Sequence, residues 1–157
     1  MPKYASATDV TADRSRTEIE RTLQRYGARQ FMYGWAEEQA VLGFVVAGRQ
    51  VRFVLPMPDP NEFRKTPTGR SRTATAANEQ HAQAVRQRWR ALALVIKAKL
   101  EAVDSGIVTF DNEFLAHLVL PTGQTVGDTV VPSVEEAYRT GRTPALLPQY
   151  EARAIEA

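Results

Sequence analysis

Cysteine is missing altogether from this chain of 157 residues, and histidine occurs only twice. The first absence excludes a disulfide framework, a thiolate metal site and a cysteine nucleophile. The second leaves little from which to build an imidazole metal centre. Long apolar runs are missing too. The longest, Ala91 to Ile96, is six residues, whereas a membrane-spanning helix needs about 18 or more. The opening segment MPKYASATDVTADRSR lacks the apolar stretch of a secretory signal, so a cytoplasmic protein with no membrane partner is expected. No G-x-S-x-G, phosphate-loop or G-x-G-x-x-G pattern occurs, which removes the commonest hydrolase and nucleotide-binding fingerprints.

What is present is ordinary for one globular domain: 43% hydrophobic and 24% charged residues, in a chain long enough to build its own core. Net charge is only +2, but it is unevenly spread. Residues 58–100 carry nine Lys/Arg against three Asp/Glu, and residues 101–157 carry three against nine. Such a split allows three outcomes: neutralisation within the molecule, an anionic partner, or complementary faces meeting in a homo-oligomer.

Hydrophobic periodicity predicts an α+β fold. Residues 1–13 are polar and aperiodic and read as a flexible arm, residues 14–148 as one globular domain, and 149–157 as a frayed end. Ser15 and Glu18 form a capping box ahead of Ile19, Leu23 and Tyr26, with Gly27 as the stop, which predicts a helix over 16–26. The period then changes to two. Phe31, Tyr33 and Trp35, then Leu42, Phe44 and Val46, then Val51, Phe53 and Leu55 alternate along three strands joined by short turns, an antiparallel meander. Its aromatic stripe reads as core under a helix, with Trp89 as the natural partner, rather than as a stacking platform for bases. Residues 56–76 hold four prolines and no period, and form a long basic loop. Asn78 is the expected cap of a long helix ending at Ser105-Gly106, with Val85, Trp89, Leu92, Ile96, Leu100 and Val103 as its core stripe. Further on, Thr109 caps a short helix holding Phe110 and Phe114. Residues 115–126 fit a small hairpin or a helix through Leu118. Ser133 and Glu136 are a capping box for a last helix that Gly141 stops.

At 100° per residue the long helix divides into faces. Arg86, Arg90 and Lys97 share one flank. Arg88 and Lys99 share the other, where their stems can cover the core edge. Ala91, Leu94 and Ala98 form a small apolar patch opposite the core that needs a cover, either the C-terminal segment of the same chain or a neighbouring copy. A membrane-surface helix would show one apolar and one continuously cationic face, which this is not. Other candidates are weaker. Asp59, Glu62 and Lys65 resemble a nuclease set but share one loop. Glu113 and His117 could share a metal only if helical, and a structural pair is the simpler reading. His81 reads as a surface residue. Gly69 to Arg72 is a basic tip able to form a phosphate nest. The expectation is therefore no catalytic residues, no metal and no cofactor.

The segments RSRTEIERTLQRYGARQFMYGW, VRFVLPMP, RQRWRALALVIKAKLEAV and FLAHLVLPTGQTVG together resemble a family of small uncharacterised tailed-phage proteins. The resemblance implies a bacterial host cell and a role in DNA recombination or in blunting host defences, without site residues. By topology, helix, meander and long helix are similar to two nucleic-acid folds. The double-stranded-RNA-binding domain has a shorter second helix close behind its third strand. The Rad52-like core of single-strand annealing proteins, with its basic groove and ring assembly, is the better match by fold-level analogy. The function expected is a non-catalytic, oligomeric protein that binds single-stranded nucleic acid through Arg52, Arg64, Lys65, Arg70, Arg72, Arg86, Arg90 and Lys97, with Ala91, Leu94 and Ala98 packing against another copy or segment. The alternative is an anti-defence protein that binds a host protein or a small anionic nucleotide.

Overall fold

The computed structural model describes residues 3–36 and 38–147, the first nine of them as backbone only. The frayed end expected at 149–157 lies outside the described residues. Helix α1 (Lys3–Arg25) is followed by strands β1 (Gln30–Trp35), β2 (Gln39–Val46) and β3 (Arg49–Pro56). Helix α2 (Ala74–Asp104), the single turn α3 (Phe110–Glu113) and helix α4 (Val126–Thr140) complete the fold. The strands pair antiparallel in the order β1-β2-β3. The expected α+β architecture, with the long helix on the sheet, is thus what the chain adopts.

Register puts Phe31, Phe44 and Val51 in one cross-strand row and Tyr33, Leu42 and Phe53 in the next. That face receives Ile19 and Leu23 from α1, Trp89, Leu92, Ile96 and Leu100 from α2, and Phe114 after α3, all buried. Each such side chain contributes about 1.5–3 kcal/mol on burial. Tyr33 meets Trp89 edge to face at 5.3 Å. Trp35 shares the face but lies beyond the helices and is 72% exposed, so only Phe31 and Tyr33 of the aromatic stripe are core. The Ala47-Gly48 turn has both residues at positive φ, 50° and 73°, the backbone a two-residue hairpin requires.

Several boundaries differ from the sequence reading. Helix α1 begins at Lys3 and runs through the expected arm and through the Ser15–Glu18 capping box. Ala12, buried in the core, extends the Ile19–Leu23 stripe seven residues upstream, so packing overrides the local cap signal. Helix α2 is capped by Thr73, whose hydroxyl accepts from the Ala76 N–H, and Asn78 lies inside the first turns. Helix α4 starts at Thr125, in a reciprocal capping box with Asp128. Pro132 argues for a break, yet it sits within α4 and removes one backbone hydrogen bond.

The 56–76 loop is ordered. Asp59 caps a 3-10 turn at Pro60–Phe63, and Lys65 bridges to Ser71 across a tight turn. Proline excludes a helix interior but suits the first position of such a turn, where no N–H is needed. The Arg72 guanidinium donates to the Phe63 and Lys65 carbonyls at 3.2 and 2.9 Å. His81 is half-buried rather than on the surface, donating from Nε2 to the Pro58 carbonyl and standing edge-on to Phe63.

Of the two readings of 115–126, both hold in part. A 3-10 turn covers Leu115–His117, and Val119 then bridges Thr125 in a minimal hairpin. The Val119 N–H donates to the Gln50 carbonyl at 2.9 Å, covering part of the β3 edge. Gly127 lets α4 approach this turn, because a Cβ there would lie 2.8 Å from the Ala116 carbonyl oxygen. Among the described residues no helix is long and apolar enough to cross a membrane.

Candidate functional site

Helices α1 and α2 lie side by side, and between them opens a groove of about 420 Å³. Arg14, Ser15 and Glu18 line it from α1. Gln83, Arg86, Gln87, Arg90, Ala93 and Leu94 line it from α2. The α2 set recurs every three or four residues, the spacing that keeps side chains on one helix face. Three guanidiniums thus share a concave surface with a single carboxylate. Among the described residues no ion pair engages Arg14, Arg86 or Arg90. Concave, partly desolvated surfaces strengthen the field of such a cluster, and planar guanidiniums bind phosphate oxygens in a bidentate way. The arrangement can hold an anion.

Arg16, two residues on, points away from the groove and does structural work. It pairs with Asp13 and lies over the rings of Tyr33 and Trp89, at 4.2 and 5.7 Å from their centroids. A cation over an aromatic face is worth about 0.5–2 kcal/mol. Its Nε is buried without a partner, a cost set against that stacking. Arg16 therefore anchors α1 to the sheet and to α2, and so fixes the groove's two walls.

The eight basic residues singled out by sequence divide into three groups. Arg86 and Arg90 lie in the groove, with Lys97 exposed about 10 Å further along α2. Arg64, Lys65 and Arg70 project from the hairpin ahead of α2 and are exposed. The loop folds back along α2: Phe63, next to Arg64, meets His81, five residues before Arg86, about 8 Å of helix. Arg52 and Arg72 are committed within the fold: Arg52 donates to the Gly123 carbonyl at 2.7 Å, and Arg72 closes the hairpin. Ala91, Leu94 and Ala98 are exposed, Leu94 at 58%, so no described segment of the chain covers the patch.

The flanking bases Arg88 and Lys99 bind locally. Arg88 donates to the Pro56 carbonyl. Lys99 donates to the Glu113 carbonyl and carboxylate, both at 3.1 Å, and stands above the Phe114 ring. Glu113 is thereby occupied, and His117 stacks on Phe53 with centroids 4.0 Å apart. Burial, and then the charge of Lys99, holds the His117 pKa below its usual value of 6.5, against a hydrogen bond to the Arg52 backbone. No group of three or more His, Asp or Glu among the described residues is placed to hold a metal. Asp59 spends a carboxylate oxygen on the Asn61 N–H at 2.9 Å.

Sequence reasoning missed Arg14, Ser15, Glu18, Gln83 and Gln87. The available signal was Ala12, which continues the α1 core stripe upstream and so makes residues 14–18 helical. Comparison of the chain with family models, curated proteins and solved structures returns no match.

Proposed function

We propose that this protein is a non-catalytic binder of single-stranded nucleic acid that grips the phosphate backbone and works as an oligomer. The observation that carries the reading is the α1–α2 groove, where Arg14, Arg86 and Arg90 converge without ion-pair partners among the described residues. Lys97 would extend the track along α2, and Arg64, Lys65 and Arg70 would form a second point of attachment. Arg52 and Arg72 each spend one guanidinium nitrogen on backbone carbonyls and keep their charge and remaining donors, so they would add to the field around the track. The resemblance to tailed-phage proteins, and the topological analogy to annealing proteins, fit a role in recombination in a bacterial host cell.

Backbone binding is sensitive to salt, with a slope of about −0.7 per phosphate neutralised on a single strand. Replacing Arg86 and Arg90 together by alanine should therefore reduce the slope of log affinity against log salt by about 1.4. Titration of a labelled oligonucleotide of about 30 residues measures this. Absent binding, or binding indifferent to salt, overturns the proposal.

A second reading has one observation in its favour. A recess of about 420 Å³ falls in the range of small-molecule pockets, so the groove would suit a small anionic nucleotide, as an anti-defence protein would require. Thermal shift with cyclic nucleotides beside single-stranded DNA distinguishes the two.

A further inference from the structure

Helix α4 has fifteen residues and buries none of them. Val130, Val131, Val134, Ala137 and Tyr138 fall within an arc of about 120° on it. Val131, Val134 and Tyr138 are 51%, 39% and 89% exposed. Asp128 and Glu135 lie along one edge of this arc, next to Val131. Through Gly127 the helix rests on the Leu115–His117 turn; Val130 and Ala137 are half-buried, and Val131, Val134 and Tyr138 are the part of the stripe left to solvent.

The back of α2 is its counterpart. Leu94 and Val95 are 58% and 44% exposed, and with the exposed Ala91 and Ala98 they form an arc of about 100°. Arg90 and Lys97 border that arc on the side of Leu94. Small residues at Ala91 and Ala98 permit another helix to approach closely. The lengths agree as well: residues 91–98 rise about 10 Å, and residues 130–138 about 12 Å.

We infer that copies of this chain associate head to tail, the α4 stripe of one copy lying on the Ala91–Leu94–Val95–Ala98 face of the next. Charge selects this pairing over the symmetric ones. Two α2 faces packed on a twofold axis bring Arg90 and Lys97 toward their own copies, and two α4 faces do the same with Asp128 and Glu135. The mixed contact sets an acidic edge beside a basic one, and like charges facing each other are destabilising. Because donor and acceptor faces differ, each copy keeps a free face at either end, and the assembly grows into a ring or a filament. This deepens the oligomeric part of the function proposed above and is tested without nucleic acid, because the face shares Arg90 and Leu94 with the α1–α2 groove.

Sedimentation velocity on the full chain, without nucleic acid, tests it. Wild-type protein should show concentration-dependent association that weakens roughly tenfold between about 50 and about 300 mM salt. Ala98→Glu, and separately Val134→Lys with Tyr138→Lys, should each be folded by circular dichroism and monomeric. An equimolar mixture of the two variants should form a heterodimer that grows no further, since each retains the face the other lacks. Monomeric wild type at low salt, self-association by either variant, or a mixture that stays monomeric overturns the inference. Association without oligonucleotide binding leaves it standing and removes only the nucleic-acid reading.

Discussion

Truncation of Phe114 to alanine is the sharpest test of how this fold is held together. The ring is fully buried and lies 4.6 Å from Phe110, 6.0 Å from Phe44 and 6.4 Å from Phe53, centroid to centroid. Phe44 and Phe53 belong to the central and third strands, whereas Phe114 belongs to the C-terminal third, so this side chain joins the late elements to the sheet. A buried Phe→Ala change costs about 3–5 kcal/mol, and each of the ring pairs adds about 0.5–1.5 kcal/mol beyond area burial. A chain of this size loses about 2–4 °C of Tm per kcal/mol, so the melting temperature should fall on the order of 10 °C. Urea unfolding read by the fluorescence of Trp89, which is 2% exposed, should move its midpoint down with an unchanged m value. A loss under about 1 kcal/mol would refute the reasoning. It would mean that the C-terminal third is not part of the cooperative core.

Two further predictions rest on single observations. The His117 pKa is lowered in the folded chain, chiefly by burial, so below pH 6.5 the unfolded chain binds the proton more readily and stability falls until the folded value is passed. Urea midpoints measured from about pH 7.5 to about pH 5 should fall in the wild type and fall less in His117→Gln; parallel profiles would exclude His117 as the source. Ala47 holds a φ of 50° beside Gly48, a conformation that asparagine adopts more readily than alanine. Ala47→Asn should raise stability by about 0.5–1 kcal/mol, and an unchanged or lower Tm would count against a strained turn.

The elements were legible because their signals are local. Alternation in Phe31–Tyr33, Leu42–Phe44–Val46 and Val51–Phe53 determines strand facing, and the four-three spacing of Ile19, Leu23 and Tyr26 determines a helix stripe, without reference to anything distant. Helix starts were less legible. Capping boxes at Ser15 and Ser133 are good local signals that lose to the burial of Ala12 in one case and to the Thr125–Asp128 box in the other. Of the candidate site, sequence placed Arg86, Arg90 and Lys97 on one flank of α2, but gave no means of separating free cations from engaged ones.

By itself, then, the sequence determined the α+β order, the meander, the core face of α2 and the apolar patch at its back, since each follows from periodicity along the chain. Only the tertiary structure decided what the charges do. Arg52 and Arg72 end on carbonyls 71 and 7–9 residues away, while Arg14 joins Arg86 and Arg90 because α1 packs against α2. A side-chain hydrogen bond across the fold depends on where two backbones meet in space, and residue periodicity carries no record of that.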